Sequence, residues 1–333
     1  MNELHALKDY LTVGSRACLV TLIRVDGSSP RPIGSQMVVS DAGDHEGYLT
    51  GGCAEAAIAG EALAAMTAGR NVGVRFGKGS PYMDIVLPCG SGIDIWFDTH
   101  PTLKVVNALI EHQLARKRVA LLTQLRPAGS ISTVETELHK PSGNAFLRTY
   151  FPTRRLYIFG GGPVTHSLAS LAQTAGYEVE VFTPDTRTLE YLTGQAVAVR
   201  RLIGTEQIIA LPTDPWTAVV LLFHEHDRET ALFERFLPSD VGYIGAIGSR
   251  VTHGNRLETL HGIDLPQTSR IHGPIGLDIA AKSSNEIAIS ILAEMTLSFR
   301  KAQPDNQLLC STDAFPQTVP RLDRQGVPAI PSL

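Results

Sequence analysis

The stretch Leu156-Tyr157-Ile158-Phe159-Gly160-Gly161-Gly162-Pro163-Val164-Thr165 decides the fold of the second half of the chain. Four apolar residues read as a short buried strand, three glycines follow at once, and residues 165–175 read as a helix. Strand, glycine turn and helix in this order place a phosphate loop at the start of a Rossmann-type unit. The next strand, 178–182, leads to Asp185, where an acid would meet a ribose. The fingerprint is imperfect, because Thr165 stands where a third glycine is expected. Apolar strands at 218–222 and 243–247, with helical stretches between them, extend the alternation and predict a doubly wound parallel sheet. The last helix opens with the capping box Ser283-x-x-Glu286 and carries a stripe of Ile287, Ile291, Met295 and Phe299.

Working outward toward the N-terminus, the rhythm changes. Residues 17–25, 36–40, 72–76, 84–87 and 93–97 read as short strands, and 54–68 as an alanine-rich helix with Ile58, Ala62 and Met66 four apart. Residues 102–117 read as a helix, 118–125 as a strand and 141–144 as the turn of a hairpin. The expectation is an α/β protein: an N-terminal α+β domain over 1–152, a C-terminal Rossmann-like domain with a doubly wound parallel sheet over 153–301, and a loose tail over 302–333, rich in Pro, Gln and Asp.

Three loops of the first half could carry chemistry. Gly51-Gly52-Cys53-Ala54-Glu55 leads two glycines into a helix start, where free N–H groups attract anions and a cysteine gains thiolate character. Pro88-Cys89-Gly90-Ser91-Gly92 lies between two expected strands. Gly27-Ser28-Ser29-Pro30-Arg31-Pro32 is a stiff basic loop suited to a phosphate. In the second half, His224-Glu225-His226-Asp227 could take a metal, and Gly248-Ser249-Arg250 an anionic group. Each also reads as an ordinary turn or solvated loop.

Composition narrows the classes. The net charge is -4 and no basic run stands out, so nucleic acid is not expected as a partner. The N-terminus lacks the apolar core of a signal peptide and no apolar run approaches the length of a membrane span, so a cytoplasmic protein without membrane contact is expected. The four cysteines, Cys18, Cys53, Cys89 and Cys310, form no C-x-x-C pair, which speaks against a structural zinc site.

Taken in order, these segments resemble the XdhC/CoxI family, the accessory factors of xanthine dehydrogenase and its relatives. The likeness runs from about Ala17 to Arg300. It rests on the loop from Gly27 through Pro32 to Ile33-Gly34, on Gly51-Gly52-Cys53-Ala54-Glu55, on Cys89-Gly90, and on Tyr243-Ile244-Gly245-Ala246-Ile247-Gly248-Ser249-Arg250. It continues through Ile271-His272-Gly273-Pro274-Ile275-Gly276-Leu277-Asp278-Ile279 and the helix from Asn285 to Glu294. The chain departs from the family pattern at Ser91, at Pro163, and at Ala280 to Asn285. The resemblance implies a non-enzymatic chaperone that binds the molybdenum cofactor, as molybdopterin or its dinucleotide form. It would protect the cofactor during sulfuration and pass it to an apo molybdenum hydroxylase. A cysteine desulfurase is the implied partner and a homodimer the implied state. The cofactor-binding set is then Gly51, Gly52, Cys53, Glu55, Cys89 and Arg31, with Gly160, Gly162, Asp185, Ser249 and Arg250 toward a nucleotide or phosphate portion. Cys53 and Cys89 are the candidates for contact with molybdenum. Two rivals stay open: an NAD(P)-dependent oxidoreductase built on the glycine loop, and an assembly scaffold that holds no cofactor.

Overall fold

A computed structural model of the chain describes residues 2–52, 54–80, 92–126, 132–136, 144–204, 206–223, 228–262, 265 and 267–302. They divide into two compact units, one ending at Phe151 and the other beginning at Pro152.

In the first unit, α1 (Asn2–Thr12), β1 (Ala17–Asp26), β2 (Gln36–Ser40), β3 (His45–Gly47), α2 (Glu55–Ala68), β4 (Val72–Gly77) and β5 (Gly92–Asp98) are followed by α3 (Leu103–Leu114), β6 (Val119–Gln124), β7 (Ser132–Glu135) and β8 (Ala145–Tyr150). Five strands make an antiparallel sheet in the order β3-β2-β1-β5-β4, and the other three a small sheet in the order β7-β6-β8. Both faces of the larger sheet are covered. Cys18, Val20 and Leu22 of β1 and Ile93, Ile95 and Phe97 of β5 pack with Ile58, Ala62 and Met66 of α2. Leu19 and Val38 point the other way, into a core with Leu4 and Leu7 of α1, Val106, Leu109 and Ile110 of α3, and Leu121 of β6. Covering both faces explains why 17–25 reads as a continuous apolar run and not as an alternation. Cys18 is a core residue, and burial pushes its thiol well above the ordinary value, which makes it inert. β7 and β8 each pair with β6, and the turn expected at 141–144 lies outside the described residues except for Asn144. The strand expected at 84–87 lies outside the described residues.

The second unit contains β9 (Arg155–Gly160), α4 (Pro163–Thr174), β10 (Glu178–Thr183), α5 (Thr186–Gly194), β11 (Ala198–Arg201), α6 (Glu206–Ile209), β12 (Thr217–Leu222), α7 (Glu229–Phe236), β13 (Tyr243–Ala246), α8 (Arg250–Gly262), β14 (Ile271–His272) and α9 (Ser284–Ala302). Its sheet is parallel, in the order β11-β10-β9-β12-β13-β14. The chain starts in the middle at β9, moves outward to β11, then returns to the other side of β9. This is the strand order of dinucleotide-binding domains, with its reversal between β9 and β12. Leu168 and Ala172 of α4 and Ile291, Met295 and Phe299 of α9 cover one face. Phe233 and Phe236 of α7 and Leu260 of α8 cover the other. The expected tail lies outside the described residues except for Ala302, which ends α9.

The capping box of α9 is formed as the sequence predicts. Glu286 accepts from the N–H groups of Lys282 and Ser283 at 2.8 Å each, and Ser283 Oγ accepts from the Glu286 N–H at 3.3 Å. Ser283→Ala is expected to lower the stability of the second unit by about 1 kcal/mol, measurable as a shift in its urea midpoint.

Candidate functional site

The turn before α2 is built around its own acid. Gly51 (φ +80°) and Gly52 (φ +108°) sit in the left-handed region and face solvent, with room around Gly52 for a ligand to approach the backbone. Behind them Glu55, only 4% exposed, folds back from the first turn of the helix. Its Oε1 accepts from the N–H groups of Leu49 at 3.0 Å and Thr50 at 2.7 Å. Its Oε2 accepts from the Thr50 hydroxyl at 2.7 Å, Gly52 N–H at 2.9 Å and Ala54 N–H at 3.2 Å. Burial alone would raise this carboxyl, but the bonds from Thr50, Leu49 and its own backbone outweigh it and hold it at about 2. Glu55, expected among the cofactor contacts, has both its oxygens engaged by the turn. The helix start is not an open anion site, because the anion it attracts is this carboxylate. Cys53 lies outside the described residues.

The Arg31 loop comes to the same place. A Cβ on Gly51 would stand 3.7 Å from Pro30 Cγ, so the glycine turn abuts the loop. Arg31 is exposed, and among the described residues its guanidinium enters no ion pair. The loop leaves β1 at Asp26, whose register partner on β5 is Gly92. Cys89 lies outside the described residues, but the chain it belongs to enters the sheet at Gly92, at the foot of the Arg31 loop. A charge cluster locks that corner. Arg75 donates from Nη1 to both Asp94 oxygens at 3.0 and 3.2 Å, from Nη2 to Asp26, and from Nε to the Lys78 carbonyl at 2.9 Å; Arg24 Nε donates to Asp26 at 3.0 Å. Arg75 holds Asp26 below the usual carboxylate range, while burial leaves Asp94 above it. Gly92 has no alternative, because a Cβ there would collide with this guanidinium. No local motif marks Arg75, whose partners come from two other strands.

In the second unit the candidate residues are engaged in the fold. Gly160 is buried, and a Cβ on it would enter the Leu222 carbonyl, so this glycine serves the close packing of β9 on β12 and not ligand contact. The Gly162 N–H, a phosphate donor in the sequence reading, is taken at 2.8 Å by Thr188 Oγ1. Pro163 supplies no N–H at the first position of α4. Asp185 caps α5: Oδ1 accepts from Arg187 N–H at 3.2 Å, and Oδ2 from Thr188 N–H at 3.0 Å and the Thr188 hydroxyl at 2.6 Å. These bonds hold its carboxyl below the usual range. His166 Nε2 lies 3.1 Å from the same hydroxyl. Because the hydroxyl proton goes to Asp185, Thr188 Oγ1 accepts from both Gly162 and His166, which puts the histidine proton on Nε2. Burial keeps His166 below its ordinary value, and its ring stacks on Tyr191 at 4.2 Å. Gly160, Gly162 and Asp185, expected toward a nucleotide, each make these contacts within the fold. Ser249 caps α8 through Thr252 N–H at 3.1 Å, and Arg250 is exposed beside it. The cluster from His224 to Asp227 lies outside the described residues. Among the described residues no three His, Cys, Asp or Glu side chains gather as a metal site, and no helix is long and apolar enough to cross a membrane.

Comparison with known proteins places this architecture. Residues 156–295 match the XdhC Rossmann domain, and residues 11–77 match the XdhC and CoxI family model. The chain belongs to the XdhC/CoxI family. Among its relatives, it is 34% identical over 315 residues to the molybdenum cofactor insertion chaperone PaoD of Escherichia coli, covering 90% of this chain and 89% of that one. It is 25% identical over 330 residues to a probable xanthine dehydrogenase subunit of Bacillus subtilis, covering 89% and 97%. A crystal structure described as a xanthine dehydrogenase from Bacillus halodurans shares the fold, with a TM-score of 0.72 at 20% identity over 92% of this chain and 98% of that one.

Proposed function

We propose that this protein is a molybdenum cofactor insertion chaperone: it binds the cofactor and delivers it to an apo molybdenum hydroxylase of the xanthine dehydrogenase or aldehyde oxidoreductase type, without turnover of its own. The observation that carries the reading is the 34% identity to an insertion chaperone across 90% of the chain. The first unit supplies a site of fitting chemistry. Exposed glycine backbone at Gly51 and Gly52 admits close approach, Arg31 stands ready for a phosphate, and Cys53 and Cys89 are soft donors suited to the molybdenum–sulfur end. Protection of the cofactor during sulfuration, with a cysteine desulfurase as partner, belongs to this reading, as do a cytoplasmic location and a homodimer. Either the molybdopterin or the dinucleotide form of the cofactor suits it.

The strand order of the second unit favours a dinucleotide, but the loop chemistry opposes one. The Gly162 N–H and the acid that would hold pyrophosphate and ribose are engaged with Thr188 and α5. The test is to purify the full chain from a host that makes the cofactor, oxidise what it releases and read pterin fluorescence, with an NAD(P)H titration alongside. Stoichiometric pterin and no nicotinamide binding are expected. Nicotinamide binding without pterin would establish the oxidoreductase reading, and neither would leave the scaffold.

A further inference from the structure

We propose that Arg148 is a second anion-binding residue of the first unit's site, gripping, with Arg31, a phosphate group of the cargo. The inference rests on the chaperone reading for the identity of the cargo, but the anion site itself stands on geometry.

Arg148 belongs to β8 in the small sheet, yet its side chain reaches the Arg31 loop. A Cβ on Gly34, at the end of that loop, would lie 3.1 Å from Arg148 Cδ. Gly34 has φ +84° and donates its N–H to the Leu22 carbonyl at 2.7 Å, so the loop end is fixed where the arginine passes it. The guanidinium carbon sits 5.0 Å from the Tyr150 ring centroid. That ring is itself anchored, since the Tyr150 hydroxyl donates to Gln36 Oε1 at 2.7 Å and Gln36 Nε2 donates to Thr21 Oγ1 at 3.2 Å. The arginine is therefore held in place by packing. Of its five N–H groups, one from Nη1 meets the Thr149 carbonyl at 3.3 Å. Its side chain also interacts with the Tyr150 hydroxyl by charge and hydrogen bonding, and its charge acts on Glu3. The Nε–H is enclosed with no acceptor among the described residues.

An enclosed guanidinium N–H without an acceptor is costly and uncommon. A planar donor fork placed by an aromatic ring, against a loop that carries a second arginine free of ion pairs among the described residues, matches the bidentate recognition of phosphate oxygens. A phosphate monoester, as in the molybdopterin form, and a pyrophosphate, as in the dinucleotide form, share this chemistry.

The test titrates the full chain with inorganic phosphate and, separately, pyrophosphate by calorimetry, in wild type, Arg148→Gln, Arg148→Lys and Arg31→Gln. Arg148→Gln is expected to weaken binding about tenfold or more, Arg148→Lys to recover part of it, and Arg31→Gln to weaken it non-additively with Arg148→Gln. The probe that binds tighter identifies the phosphate form. If Arg148→Gln fails to fold, Arg148→Lys carries the test, since loss of the fork alone should weaken binding severalfold. Anion binding unchanged by either Arg148 substitution, or absent from wild type, overturns the proposal. Pterin content of the same preparations separates the two readings: wild type without pterin but with Arg148-dependent anion binding overturns the cargo and keeps the anion site, while pterin equal in wild type and Arg148→Gln keeps the cargo and overturns the grip of Arg148 on it.

Discussion

Glu55→Ala is expected to cost about 3 kcal/mol at neutral pH, seen as a large fall in the urea midpoint of the first unit. The substitution removes one buried carboxylate and leaves the N–H groups of Leu49, Thr50, Gly52 and Ala54 and the Thr50 hydroxyl without their common acceptor. This loss has a pH signature. The folded carboxyl is held at about 2 against an ordinary value of 4.5. A depressed folded value means that its contribution, about 3 kcal/mol, is complete above pH 4.5 and disappears as pH falls from there toward 2. Wild type should therefore lose stability in that window while Glu55→Ala changes less. Equal midpoints for the two proteins at pH 7 would show that the turn holds without its acid.

Arg256→Leu is the second large effect, and it falls on the other unit. Arg256 and Glu229 are both almost fully buried, and their pairing is bidentate, at 2.8 and 3.2 Å. Arg256 also donates to the Ile247 carbonyl at 2.8 Å, tying α8 to the end of β13 and to the start of α7. Removing the cation leaves Glu229 buried beside leucine, at an expected cost of about 3–5 kcal/mol, whereas Glu229→Met combined with Arg256→Leu should recover most of it. Unfolding followed by a probe in each unit checks both points: the single variant should move the transition of the second unit alone. A single variant as stable as wild type would mean that the ion pair adds no net stability.

What the sequence discloses and what it withholds divide along local and non-local lines. The β9–α4–β10 passage, the α2 helix and the α9 capping box are legible because strand length, helical period and capping residues all act within a few positions. Helix α1 is not, since Leu4 and Leu7 become a buried face only when the sheet and α3 arrive against them. The meeting of Gly51 with Pro30, and of Arg148 with Gly34, joins elements whose pairing no local pattern announces. Glu55 and Asp185 are both engaged within the fold for one shared reason. An acid beside a glycine turn reads as available to a ligand, although an acid at a helix start has a nearer claimant in the helix's own N–H groups. The Asp185-Thr186-Arg187-Thr188 run already carries that capping signature.

The self-satisfied turn at Glu55 has a kinetic consequence. A binding loop that orders only around its load must melt to let the load go, and its residence time then includes an unfolding step. Here the N–H groups of Leu49, Thr50, Gly52 and Ala54 are held by the fold's own carboxylate, which damps the local positive potential. On the proposed function, cargo would meet a rigid surface of modest attraction. Its departure would be a simple dissociation, which is the property a donor needs if a client enzyme is to outcompete it.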